Sequence, residues 1–158
     1  MSDLSHVDRS GQARMVDVSA KESTERFARA TGVISMSAEA LAAVRKNSVE
    51  KGDVLAVARI AGVMAAKRTA ELIPLCHPLM LSDVQVVAVI DDTIPGIRVE
   101  STVRTAGKTG VEMEAIIAVS VTLVTVYDMC KSLDKSMVIS DICLAEKTGG
   151  RSGTWKRP

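Results

Sequence analysis

The longest stretch without a charged residue covers residues 115–127, and ionisable residues crowd both of its ends. The flanking charged residues are Lys108, Glu112 and Glu114 on one side, and Asp128 and Lys131 on the other. This pattern predicts a buried core helix, from about Gly110 to Leu133, with functional groups where it emerges. The uncharged run is shorter than the roughly 20 residues that cross a bilayer, so we expect no membrane segment.

Period-two patterns predict strands on both sides of this helix. Val84–Ile90 is rich in β-branched residues, Pro95-Gly96 marks a turn, and Ile97–Thr105 alternates between apolar and polar residues. These segments predict an antiparallel hairpin with one buried face. Further strands are predicted over Arg14–Ser19, Phe27–Met36 and Met137–Glu146.

Two shorter helices are predicted between the early strands. Ser37 caps a helix from Ala38 to about Lys46, and Asp53 caps a longer one that ends before Pro74. Apolar residues of the longer helix recur at i, i+3, i+4 and i+7. The residues predicted to face the core are Val54, Val57, Ala58, Ala61, Met64 and Ala65.

This order predicts an α+β fold, namely a ferredoxin-like sandwich with a mostly antiparallel sheet and helices packed on one face. At 158 residues the chain is expected to form a single domain, 1–158. Residues 1–13 are interpreted as a polar arm. Residues 148–158 are interpreted as a glycine-rich tail that is either mobile or acts as a lid.

Composition excludes several classes of protein. The net charge is +1 and the chain has one Phe, one Tyr and one Trp, which argues against nucleic-acid binding. The three Cys form no Cys-x-x-Cys pair, so we expect no disulfide framework and a cytoplasmic location.

Glu112 and Glu114 fall in the first turn of the long helix. They either complement the helix dipole or accept hydrogen bonds from an amino-pyrimidine edge.

Gly107-Lys108-Thr109 is not a P-loop, because Thr102 stands where that motif needs its first Gly. The helix start remains a candidate anion site.

Asp128 and Lys131 are neighbours on one helix face. They are either a solvated ion pair or, since they close an uncharged run, a partly desolvated pair tuned for proton transfer.

Leu75, Cys76 and His77 lie in a rigid loop between Pro74 and Pro78. A zinc site lacks partner ligands and a Cys nucleophile lacks suitable geometry, so His77 is expected to act in acid/base chemistry or ligand contact.

Lys51 and Lys147 stand in glycine-bearing segments and are candidate phosphate contacts, with Lys21 and Arg26 as weaker candidates.

Three motifs, Leu72–Leu79, Lys108–Ala115 and Tyr127–Lys131, closely resemble the cyclic pyranopterin monophosphate synthase family, the C proteins of molybdenum-cofactor biosynthesis. The resemblance runs from about Met15 to the glycine-rich tail. Thr148 and Arg151 depart from the family's usual Ser and Lys.

The resemblance implies an enzyme that converts 3′,8-cyclo-7,8-dihydroguanosine 5′-triphosphate to a cyclic pyranopterin monophosphate and expels pyrophosphate. It implies a hexamer built as a trimer of dimers. No cofactor is firmly implied, and whether Mg²⁺ accompanies the pyrophosphate is left open. By matching position, Asp128 and Lys131 are the central acid/base pair. The pocket residues implied are Lys51, Leu75, Cys76, His77, Glu112, Met113, Glu114 and Lys147.

One consequence follows from helix geometry. Glu112 and Asp128 are about 24 Å apart on a straight helix, too far for one compact pocket. We therefore expect the site to be shared between subunits. The competing hypotheses are a ferredoxin-like regulatory module, in which Asp128–Lys131 is structural, and a nucleotide phosphohydrolase.

Overall fold

The computed structural model describes residue 7 and residues 10–158. Its strands are β1 (Thr24–Ser35), β2 (Asp83–Asp91), β3 (Gly96–Gly107), β4 (Val138–Thr148) and β5 (Trp155–Lys156). Its helices are α1 (Ala38–Arg45), α2 (Val54–Lys67), α3 (Thr69–Leu72) and α4 (Glu112–Cys130). Residues 1–6 and 8–9 of the predicted arm lie outside the described residues.

The strands form one sheet in the order β2-β3-β1-β4-β5, and every neighbouring pair is antiparallel. Helices α1 to α3 lie between β1 and β2 in the chain, and α4 lies between β3 and β4. This is the β-α-β-β-α-β order of a ferredoxin-like fold, with β1 and β3 in the middle of the sheet. The predicted α+β fold is confirmed.

One face of the sheet carries the core and the helices. In β3 the buried residues are Ile97, Val99, Ser101 and Val103, while Arg98 and Arg104 are exposed. The hydroxyl of Ser101 donates to the carbonyl of Ala115 on α4 (2.7 Å), which ties that helix to the buried face. The predicted alternation is therefore confirmed, and α4 is the core helix that the uncharged run predicted.

Both predicted helix caps are present. Ser37 Oγ accepts from the backbone N–H of Ala40 (3.2 Å), and Asp53 Oδ1 accepts from that of Ala56 (2.9 Å). Each side chain satisfies a donor that the first helical turn leaves without a partner. Because α2 starts at the Asp53 cap, the loop between α1 and α2, which carries Lys51, ends at a defined residue.

The predicted core face of α2 is partly wrong. Val57 and Met64 are 43% and 49% exposed, and the buried residues are Val54, Ala58, Gly62, Ala65 and Ala66. The reason is the close approach of α2 to α4: a Cβ at Gly62 would lie 2.9 Å from the carbonyl oxygen of Ala118. Only a stripe of small residues fits at that distance, so the larger side chains face outward.

The predicted strand over Arg14–Ser19 is wrong. Residues 14–18 have no regular secondary structure, and a turn follows. Val16 and Val18 line a cavity described below, so their alternation arises from contact with that cavity and not from strand pairing.

Helix α4 is long and apolar enough to cross a membrane by length and composition alone. Half of its most apolar window is buried inside the protein, and the core helix of a protein outside the membrane passes the same test.

The tail carries β5, where Lys156 and Trp155 pair with Glu146 and Lys147 of β4. Its proposed role as a lid stays a prediction.

Candidate active site

Helix α4 reaches the surface at two ends, and each end borders a different set of cavities. Glu112 lies at its first residue and Asp128 near its last turn, about 24 Å apart along the axis. No cavity described below contains both residues. Within one chain, the predicted site residues therefore fall into two groups.

A cavity of about 870 Å³ lies beside the start of α4. It brings five cationic side chains together with two carboxylates, which are those of Glu22 and Glu112. The cationic residues are Lys21, Arg26, Lys108, Lys147 and Arg151. This excess of positive charge suits a polyanionic ligand.

Two ordered contacts shape this anion cavity. Lys147 Nζ lies 2.9 Å from Glu112 Oε1, which joins β4 to the start of α4. Arg26 Nε donates to the carbonyl of Gly107 (3.2 Å), and its guanidinium lies against Gly150, where a Cβ would be 1.7 Å from Nη1. Gly150 also has φ +71°, a backbone conformation that favours glycine, and a side chain there would displace the Arg26 guanidinium.

A smaller cavity of about 310 Å³ adjoins the anion cavity and shares Lys21, Thr109, Gly110 and Glu112 with it. Six of the seven residues that the resemblance placed around the substrate at this end line it, and the seventh, Lys147, lines the anion cavity. The six are Leu75, Cys76, His77, Glu112, Met113 and Glu114. Two loops and the first turn of α4 thus form one mixed apolar and polar pocket, hereafter the ring pocket.

Glu114 is the buried acid of the ring pocket, with only 4% of its surface exposed. Burial raises the pKa of the Glu114 carboxyl above 4.5, and the nearby charge of Glu112 raises it further. Burial also raises the pKa of the Cys76 thiol, with a further contribution from Glu114. Cys76 is therefore held as a thiol, which argues against its use as a thiolate nucleophile.

His77 holds a segment of the chain over the ring pocket. Its Nε2 donates to the carbonyl of Val16 (2.8 Å), and Lys108 Nζ donates to the carbonyl of Ser19 (2.8 Å). Because a carbonyl can only accept, Nε2 carries the proton in this arrangement. Residues 16–19 are thus fastened by two side chains that also face the ligand space.

The other end of α4 borders a third cavity, of about 330 Å³, hereafter the lysine pocket. It is lined by Lys51, Tyr127, Asp128, Lys131, Ser132 and Lys135. Asp128 lies between two ammonium groups: Lys131 Nζ is 2.7 Å from Oδ1 and Lys51 Nζ is 2.7 Å from Oδ2. Lys51 also donates to the backbone carbonyl of Asp128 (3.0 Å).

These contacts set the charge state of the pair. The hydrogen bond from Lys131, followed by that from Lys51, lowers the pKa of Asp128 to about 2, and Asp128 in turn raises the pKa of Lys131. In a single chain the group is one carboxylate with two ammonium ions.

Of the two alternatives for Asp128 and Lys131, the single chain shows the solvated ion pair. Their side chains are 54% and 52% exposed. The reason is the face of the helix on which they lie: Met129 and Cys130 between them are buried, whereas Asp128 and Lys131 are on the solvent side.

Three cationic residues that line these cavities were not among the predicted site residues: Lys108, Arg151 and Lys135. Lys108 begins one of the motifs named above but was given no role, whereas no local pattern distinguishes Arg151 and Lys135 from ordinary surface charges. Among the described residues, no group of three or more His, Cys, Asp or Glu side chains could hold a metal ion.

Fold and cavities together define a small-molecule-binding α+β protein with a polyanion cavity, an adjoining ring pocket and an acid/base group at the far end of the same helix. A sequence model described as "MoaC family" matches residues 15–150. The chain is 56% identical over 157 residues to a cyclic pyranopterin monophosphate synthase from Heliobacterium modesticaldum, covering 99% of both chains.

Two further relatives carry the same name. The chain is 55% identical to the protein from Dinoroseobacter shibae, with 99% of both chains covered, and 58% identical to that from a Roseiflexus species, with 97% of both covered. The chain therefore belongs to the MoaC family.

Proposed function

We propose that this protein is a cyclic pyranopterin monophosphate synthase of molybdenum-cofactor biosynthesis. It converts 3′,8-cyclo-7,8-dihydroguanosine 5′-triphosphate to cyclic pyranopterin monophosphate and releases pyrophosphate, which makes it a phosphorus–oxygen lyase. One observation carries the proposal: the five-cation cavity adjoins the ring pocket and shares Lys21 and Glu112 with it. A nucleotide-derived substrate has the same two parts, a polyanion and a ring.

The ring pocket offers contacts suited to the guanine-derived ring. Glu112 and Glu114 present carboxyl oxygens to an amino-pyrimidine edge, and Leu75 and Met113 supply apolar contacts. Cys76 and His77 complete the wall. The triphosphate then extends into the anion cavity, where Lys21, Arg26 and Lys147 contact it.

The chemistry is assigned to Asp128 and Lys131, with Lys51 beside them. With the pKa of Asp128 near 2, the carboxylate is a weak base, whereas the paired ammonium groups can donate protons. A ring rearrangement needs a group that both donates and accepts protons, so an ammonium group must lose its proton more readily in the working enzyme. Covering the lysine pocket would favour this, because desolvation disfavours the charged form of lysine.

A second copy of the chain supplies that cover in the proposed assembly, a hexamer organised as a trimer of dimers. Support comes from apolar residues on the outward faces of α2 and α4: Val57, Ile60, Met64 and Val124 are all at least 43% exposed. Support also comes from the 24 Å between Glu112 and Asp128. In the proposed dimer, one chain contributes its Glu112 end and the other its Asp128 end.

The proposal requires no resident cofactor. Mg²⁺ enters only as a companion of the pyrophosphate group, and the proposed location is the cytoplasm. Neither nucleic acid nor a membrane takes part.

The test is to incubate the purified protein with the cyclised triphosphate and to assay pyrophosphate and the pterin product together. We expect both products from the wild type and neither from Asp128→Ala, with the fold and ligand binding of the variant retained. Tight binding without turnover would favour a regulatory module. Release of pyrophosphate from ordinary GTP would favour a hydrolase.

A further inference from the structure

Lys135 is the cationic residue of the lysine pocket whose side chain has no partner among the residues that the structure describes. Its neighbours Lys51 and Lys131 are both paired with Asp128. The ammonium group of Lys135 makes no hydrogen bond or ion pair with any residue that the structure describes, although it lines the same cavity. Three ammonium groups therefore meet one carboxylate, and one of them is available to an anion.

The backbone that carries Lys135 is held firmly. The hydroxyl of Tyr127 donates to the carbonyl of Lys135 (3.1 Å). On one side, Asp134 accepts from the backbone N–H of Ser37 (2.7 Å) and from the backbone N–H and hydroxyl of Ser136 (2.8 and 2.6 Å). The Cα of Lys135 is thus fixed to both α4 and the start of α1, while its side chain remains exposed.

We propose that Lys135 is a further substrate-contacting residue, which binds a phosphoryl oxygen beside the Asp128–Lys131 pair. This inference rests on the proposed function, because it assumes that the reacting part of the substrate lies in the lysine pocket. A free ammonium on an anchored backbone is suited to this role, since it acts as a point charge for phosphate without a large loss of backbone freedom. Asp128 does not also pair with Lys135, because its two carboxylate oxygens are already bound to Lys51 and Lys131.

The first measurement compares Lys135→Gln with Lys67→Gln in steady-state turnover of the cyclised triphosphate. Lys67 is an exposed lysine at the end of α2 and lines none of the three cavities. We expect Lys135→Gln to lower kcat/KM by about tenfold or more, Lys135→Arg to restore most of it, and Lys67→Gln to stay within about twofold of the wild type. A kcat/KM for Lys135→Gln that matches Lys67→Gln would overturn the proposal.

The second measurement separates this inference from the proposed function. Inorganic pyrophosphate binding is measured by calorimetry on the same variants, and it needs no turnover. If the wild type forms no pterin, the proposed function fails, and binding alone decides the role of Lys135. Weaker pyrophosphate binding by Lys135→Gln than by Lys67→Gln supports a phosphate contact, and equal affinities contradict it.

Discussion

Glu114 is unusual because it is a buried acid in the first turn of a core helix. The helix start favours negative charge, but burial and the neighbouring Glu112 carboxylate oppose it. The pKa of Glu114 is raised because the opposing effects are larger. The ring pocket thus contains two different acids. Glu112 is a half-buried carboxylate bound to Lys147, whereas Glu114 holds its proton to higher pH than usual.

Glu114→Gln should raise thermal stability above about pH 4.5 and leave it unchanged below that pH. A folded-state pKa above the unfolded value of 4.5 means that the wild type loses stability as pH rises from 4.5 through the folded-state pKa. The neutral amide does not titrate, so the gain in Tm should grow over that window. The measurement is Tm against pH, with the exposed Glu50→Gln as a control. A Tm difference that does not change with pH would contradict the argument.

For individual residues, the sequence predicted the site residues that lie in recognisable motifs, and the structure brings them together in two groups. The loop of Leu75, Cys76 and His77 meets the first turn of α4 as one pocket, which no spacing along the chain could show. Arg151 was missed for the reverse reason, since its importance comes only from what folds next to it, and Lys108 was given no role although it begins a motif. Long-range proximity is what a single sequence leaves undetermined.

Among the elements, the contact between α2 and α4 depends on Gly62. A Cβ there would lie 2.1 Å from Thr122 Oγ1 and 2.9 Å from the carbonyl oxygen of Ala118. Thr122 Oγ1 already donates to that same carbonyl (2.7 Å), so it has little freedom to move. The two helices can therefore accept a methyl group only by separating.

Gly62→Ala should lower the free energy of unfolding by about 1–3 kcal/mol, as expected for overpacking in a core. This outweighs the gain of up to about 1 kcal/mol that alanine brings to a helix interior. Chemical denaturation measures the change. Gly107→Ala is the control, because its Cβ would meet its nearest neighbour at an ordinary 3.4 Å. Equal stability of the two variants would show that α2 shifts at no cost.

The elements themselves were largely predictable, because their signals are local. Caps at Ser37 and Asp53 and the alternation in β3 were read correctly. Besides the strand wrongly predicted over Arg14–Ser19, two features were not: the face of α2, which is decided by close contact with α4, and β5, whose two residues Trp155 and Lys156 become a strand only by pairing with β4. Both depend on a partner element distant in the chain.

For the whole molecule, the central question is whether one chain can hold the entire site. The ring pocket and the lysine pocket lie at opposite ends of a 19-residue helix. A two-fold axis that relates α4 of one chain to an antiparallel α4 of another would bring Glu112 of the first towards Asp128 of the second. The point midway between these residues is Ser120, on a stretch without charge.

Mixing two inactive variants, Glu112→Ala and Asp128→Ala, tests this arrangement. If sites are shared between two subunits, a mixed dimer has one site with both residues intact and one with neither. Random association in an equal mixture makes half of the dimers mixed, so activity should return to about one quarter of the wild-type value. The subunits are exchanged by coexpression or by joint refolding, and the pterin product is assayed.

A control mixture uses the wild type and the double variant Glu112→Ala/Asp128→Ala. With shared sites, every mixed dimer lacks one residue in each site, so activity should fall to about one quarter. With a site inside each chain, it should be about one half, and the two single variants should then not complement each other at all. Because the two mixtures respond in opposite directions, their combination decides between a shared and a single-chain site even if the variants differ in stability.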